Sequence, residues 1–124
     1  MSAAPPPPAY QAPTPMNPAD EKLWATLIHI GGILFGFLPA LIGYIVLKDR
    51  GPFIRAHTQT ALNFQLSLLI YSIALTIIGV VTLGVGFLLF IPLGIVAVVF
   101  MIIAAIKANE GQYYTYPLTI KFIS

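Results

Sequence analysis

The chain has 124 residues, of which 58% are hydrophobic and 8% charged. An ordinary soluble domain carries about 25% charged residues, so a soluble monomer is excluded and the length allows one domain. The net charge of +2 comes from six Lys/Arg against four Asp/Glu, without the one-faced basic cluster of a nucleic-acid partner. No cysteine is present, which removes disulfides, thiolate metal sites and thioether lipid anchors together.

Residues 1–19 form a proline-rich tail, with seven prolines in the first 18 residues. Proline lacks a backbone donor and fixes φ, so the tail is expected to be disordered and partly polyproline II. It acts as a spacer or as a ligand for a partner's aromatic groove. Asp20, Glu21 and Lys22 then open a helix, the two acids suiting its positive dipole end. Residues 23–47 are an uncharged run of 25, about 37 Å as one helix against a hydrocarbon core of about 30 Å. Pro39 lies inside it and will kink or break it.

Residues 61–106 are overwhelmingly apolar for 46 positions, twice the length that crosses a bilayer once. The chain must reverse, and Thr82-Leu83-Gly84-Val85-Gly86 is the place. Spans are therefore expected over 61–81 and 87–106, with Lys107 and Gly111 ending the last helix. Residues 112–124 alternate with period two and read as an extended interfacial strip, with Tyr113, Tyr114 and Tyr116 at headgroup level. The fold class is an all-α integral membrane protein with three transmembrane helices, or four if the first run is split at Pro39. A helical membrane domain thus covers 20–124.

Charge placement orients this domain. With 23–47 as one span, Lys48, Arg50, Arg55, Lys107 and Lys121 share a side and Lys22 is alone. With 23–47 re-entrant, all six share one side. The 48–55 loop and the C-terminus are cytoplasmic in both arrangements by the positive-inside rule, and the side of the tail is left open.

Stepping by four from Arg55, the residues Gln59, Asn63, Ser67 and Tyr71 form one polar ridge, with Gln65 on a second row. Unsatisfied polar groups in hydrocarbon are costly, so these side chains face other helices or a wet pathway. A proton or ion path usually carries an intramembrane carboxylate, and no Asp or Glu lies inside a span. Gly32 and Gly36 make a GxxxG pattern that permits close helix packing. His29 is expected to hydrogen-bond a neighbouring helix through a backbone carbonyl; His57 supplies a second imidazole but no further ligands, so neither metal nor cofactor is expected. No hydroxyl nucleophile, carboxylate pair or phosphate-binding loop supports an enzyme.

His29-Ile30 near the start of the first span, KDRGPFIRAHTQTALNFQLSLLIY over 48–71 and IIAAIKANEGQYYTYPLTIKFI over 102–123 resemble the Tic-twenty-like family of small bacterial membrane proteins. That family is similar to a chloroplast inner-envelope translocon subunit with four spans. The resemblance implies a helical membrane fold and, by analogy, a place in protein translocation or membrane-protein assembly. Together the residues lead us to expect a non-enzymatic scaffold or assembly subunit. It would contact lipid, other membrane proteins or itself, and a partner of its tail. The alternative is a channel with a polar path along the second span.

Overall fold

The computed structural model describes residues 14–123 and contains four α-helices. They are α1 (Pro18–Phe35), α2 (Leu38–Leu47), α3 (Pro52–Val81) and α4 (Phe90–Asn109), with a 3-10 turn at Val85–Leu89 before α4. The expected disorder of the tail falls on residues 1–13, outside those described. Residues 14–17 are tied down: Met16 N–H donates to the Arg50 carbonyl at 2.7 Å, and the Arg50 guanidinium to that of Thr14.

Asn17 starts α1 by accepting the Asp20 N–H on its side-chain oxygen at 2.9 Å, with Pro18 in the first turn. Both are standard helix starts, since they satisfy or remove donors the helix cannot pair. The expected single span over 23–47 is not formed. α1 ends at Gly36, whose combination of φ +66° and ψ −132° suits only a residue without a side chain, and Pro39 falls harmlessly in the first turn of α2. The chain breaks three residues before the proline because the glycine supplies the reversal and the proline only has to begin the next helix. α2 folds back on α1, and Gly43 lets it come so near that an added Cβ would lie 2.5 Å from Ile28 Cδ1.

α3 begins over a carboxylate from another helix. Glu21 of α1 accepts the Ile54 N–H at 3.2 Å, and there is no room for a side chain on Gly51 beside it. The acid thus caps α3 where the helix has unpaired donors and a positive end. α3 has 30 residues, about 45 Å of helix. The reversal falls at Thr82–Gly84, as the glycine pattern predicts, with Gly84 at φ +96°.

α1 runs parallel to α3 and antiparallel to α2 and α4. Ile54 is level with Glu21, Gln65 with Gly32, and Met101 with Gly32 from the other side. All ten charged residues consequently gather at one end of the bundle. There Lys22 packs on Gly111, and Lys121 shares a cleft with Ala56 and Gln59.

The interior of this bundle holds a cluster of polar side chains among its apolar ones, and its surface is largely apolar. His29, His57, Thr58, Asn63, Gln65 and Ser67 are buried, while Leu34, Phe35, Val81, Leu83 and Leu88 are among the most exposed side chains. α3, and Val85–Asn109 counted as one unit, are long and apolar enough to cross a bilayer. A folded chain that turns its leucines outward and its amides inward is matched to hydrocarbon as solvent. The helices number four and are unequal in length, and among the described residues two stretches, not three, have the length and apolarity to cross a bilayer.

Candidate functional site

The C-terminal segment is extended and is docked on the protein along α3. From Gln112 it climbs beside α3 to Leu118, where φ is +62°, and then descends to Ile123. Two antiparallel limbs result, without regular strand pairing.

The descending limb lies on the polar ridge of α3. Asn63 Oδ1 accepts the N–H groups of Phe122 and Ile123 at 3.1 and 2.9 Å, and its Nδ2 donates to the Ile123 carbonyl at 3.0 Å. Gln59 donates to the same carbonyl at 2.8 Å. Ser67 Oγ accepts the Ile120 N–H at 2.7 Å, and the Tyr71 hydroxyl donates to the Leu118 carbonyl. The pairing has a simple metric basis. Four helical residues advance about 6.0 Å and two extended residues about 6.6 Å, so a helix row at spacing four matches alternate residues of an extended chain. Gln59, Asn63, Ser67 and Tyr71 thereby satisfy backbone groups that have no strand partner.

The other named residues lie elsewhere. Arg55 is exposed and pairs with Asp49 at 3.4 Å. Gln65 is on a different face, its Nε2 3.2 Å from Met101 Sδ. Gly32 packs there too: an added Cβ would lie 2.5 Å from Gln65 Nε2. An added Cβ on Gly36 would meet nothing within 4 Å and this residue ends α1, so the GxxxG pattern contributes one packing glycine and one terminator.

His29 does not meet a backbone carbonyl. Its Nε2 is 2.9 Å from His57 Nδ1 and its Nδ1 is 2.6 Å from the Tyr116 hydroxyl, while His57 Nε2 is 2.8 Å from the Gln112 carbonyl. Both imidazoles are 1% exposed, and Tyr116 is 3% exposed, stacked on Phe64 with ring centres 4.1 Å apart. The direction of every bond follows from its end. A carbonyl only accepts, so His57 Nε2 carries hydrogen. A neutral His57 then accepts at Nδ1, His29 donates from Nε2, and the Tyr116 hydroxyl donates to His29 Nδ1. Burial pushes the Tyr116 phenol up from its ordinary value, with neighbouring Tyr114 adding to the effect, so it remains a donor.

His57 and Tyr116 are the members of this cluster that reasoning from sequence alone misses. The re-entrant arrangement of 23–47 makes α1 and α3 parallel and puts both histidines within about two turns of the charged end, but it does not by itself pair their side chains. Nothing local marks Tyr116 apart from Tyr113 and Tyr114. The two imidazoles are the obvious nitrogen donors, but no third His, Asp or Glu joins them among the described residues. Two recesses flank the site. A polar cleft of about 430 Å³ lies between α3 and the C-terminal limbs, lined by Gln59, Thr60, Asn63, Tyr114, Thr119 and Lys121. An apolar groove of about 370 Å³ lies between α1 and α2, lined by Trp24, Leu27, Pro39, Ile42 and Val46.

Residues 20–123 match the family model described as the magnetosome magnetite crystal formation protein family, MamF/MmsF. No curated protein and no solved structure matches the chain. The match corrects the Tic-twenty-like resemblance: the loop and C-terminal strings that suggested it belong to a different family, and the translocation analogy drawn from it falls away.

Proposed function

Because the chain belongs to the magnetosome magnetite crystal formation protein family, we propose that it is a non-enzymatic, multi-pass component of the magnetosome membrane that acts on crystal formation by contacting other proteins. The observation that carries this reading is the separation of the molecule into a charged, packed end and an apolar remainder. All ten charged residues stand at the end formed by the starts of α1 and α3, the finishes of α2 and α4, and the C-terminal limbs. By the positive-inside rule that end is cytoplasmic. α3 and α4 then cross the bilayer, while α1 and α2 enter from the cytoplasmic side and return to it. Residues 14–17, the 48–55 loop and the C-terminal limbs form one face.

Two experiments test the reading. Single cysteines at Thr14, Gly84 and Leu118 are labelled with a membrane-impermeant maleimide on isolated magnetosomes, whose cytoplasmic face is outward. Thr14 and Leu118 should label, and Gly84 should label only after detergent is added; protection of Thr14 on intact magnetosomes would overturn the hairpin topology. Deleting the gene in a magnetite-forming host should change crystal size or number in electron micrographs, and the wild-type chain should restore them. Unaltered crystals would overturn the functional assignment.

A further inference from the structure

The chain Tyr116–His29–His57–Gln112 joins α1, α3 and two points of the ascending limb, and all four of its ring nitrogens are used. In the neutral state each ring donates from Nε2 and accepts at Nδ1. The only vacancies for another proton are therefore the two Nδ1 atoms, and each already receives a hydrogen. A proton on His57 Nδ1 sets two N–H groups face to face unless His29 changes tautomer. That change in turn aims an N–H at the Tyr116 hydroxyl, whose own hydrogen must turn away into a buried site against Phe64. Among the described residues, Tyr116 has no second hydrogen-bond partner to receive it. A buried donor without a partner is costly, and a buried unpaired charge more so.

We propose that the His29–His57 pair is a proton-operated latch: with both rings neutral it clasps the C-terminal limbs to α1 and α3, and uptake of a proton releases them. The surroundings supply nothing to compensate the charge. Toward the charged end α1 brings Glu21, which caps α3, and Lys22, which lies on Gly111. α2 brings Tyr44, with Lys48 over its ring, and α3 brings Arg55, paired with Asp49. From α4 comes Lys107, 3.2 Å from the Gln112 side chain, followed by Glu110. The C-terminal limbs bring Tyr113, Tyr114, Tyr116 and Lys121. Among the described residues no carboxylate bonds to either ring, and Phe53 and Tyr113 cover His57 with ring centres 4.5 and 6.3 Å away.

His57 lies in the part of α3 before the apolar stretch 61–81. In the docked form it is buried and both of its ring nitrogens are engaged. The sign of the pH dependence follows. Above about 6.5 the histidine is neutral whether the limbs are docked or free, and the latch holds fully. Below it, the free form takes up a proton that the docked form resists. The ratio of docked to free then falls about tenfold per pH unit for each such histidine, until the docked form also protonates.

The test uses the full chain in lipid nanodiscs, with nitroxide labels on cysteines introduced at Leu118 and Leu88, both exposed. One narrow distance is expected at pH 7.5, broadening at pH 5 with a midpoint below 6.5, and H57Q should abolish the transition because an amide does not titrate there. An unchanged distance from pH 8 to pH 5, or an H57Q variant with the wild-type midpoint, would overturn the latch. Imidazole nitrogen NMR of the unaltered sequence makes the test independent of whether H57Q folds. Both histidines should be neutral with hydrogen on Nε2 at pH 7.5, and a charged ring or an Nδ1–H form there would overturn it.

Discussion

The two ends of the bundle are built on opposite principles. Residues 14–67 and 97–123 enclose a core in which the buried imidazoles of His29 and His57, the amide of Asn63 and the hydroxyl of Ser67 are hydrogen-bonded to other elements, with Ala25, Ile28, Ile54, Leu62, Phe64 and Met101 filling the space around them. Between Leu68 and Val96, by contrast, the only buried residues are Gly79 and Gly86. α1 ends level with the middle of α3, so the last 13 residues of α3 project beyond it by about 20 Å, paired only with the 3-10 turn and the start of α4. This arm has no interior of its own. It meets its partner through a close approach, Gly79 against the Phe87 ring, and its Leu, Ile and Val side chains face outward. In water such an arm would be unstable, because nothing removes its apolar surface from solvent. In a bilayer it needs no core, since lipid covers that surface and the helices satisfy their own backbones. The packed end depends on specific hydrogen bonds, and the arm depends on the solvent.

Mutations should separate these two modes. The largest effect is expected from Asn63→Leu, which removes three hydrogen bonds to the C-terminal limb and leaves two backbone donors without partners. A loss of about 3 kcal/mol follows from about 1 kcal/mol per bond with the added cost of the orphaned groups. Thermal unfolding in detergent should show it, together with faster amide exchange at Phe122 and Ile123. Unchanged exchange would mean that Asn63 does not hold the limb. Gly32→Val comes next, at about 2 kcal/mol, because its Cβ meets Gln65 and Met101 inside a filled core; a neutral result would show that α1 can slide away from α3 and α4.

Glu21→Ala should cost about 1 kcal/mol through loss of the cap on α3. In the same unfolding assay, a stability equal to wild type would demote the Glu21–Ile54 contact to an incidental one. Ile77→Ala, on the exposed face of the arm, should change stability in detergent by less than about 0.5 kcal/mol. A larger loss would reveal a buried interface on the arm and erase the contrast between the two ends.

Much of this arrangement can be read directly from the residues. The reversal at 82–84 follows from a 46-residue apolar run that no bilayer is thick enough to hold straight. The end of α4 follows from Lys107 and Gly111, and the ridge on α3 from polar residues at spacing four. These features depend on local geometry and on the cost of exposing polar groups to hydrocarbon, both of which act along the chain. The identity of what meets the ridge is different in kind. An amide at Asn63 is satisfied equally well by a neighbouring helix, by water or by an extended segment 60 residues away, and composition does not choose among them.

Only the tertiary structure decided that choice, and with it the three placements that define the site. Gly36, not Pro39, breaks the first run. That break makes α1 parallel to α3, and the parallel register brings His29 within side-chain reach of His57. The docked limb then brings Tyr116, alone among three neighbouring tyrosines, into the interior. Each step rests on which surfaces pack together, a property of pairs of elements distant in sequence. The sequence by itself determined a helical, lipid-facing chain with its charges at the ends of its apolar runs, because periodicity and hydrophobicity are written residue by residue. The buried histidine chain required the fold, because a hydrogen bond between imidazoles on two helices depends on a register that neither helix carries alone.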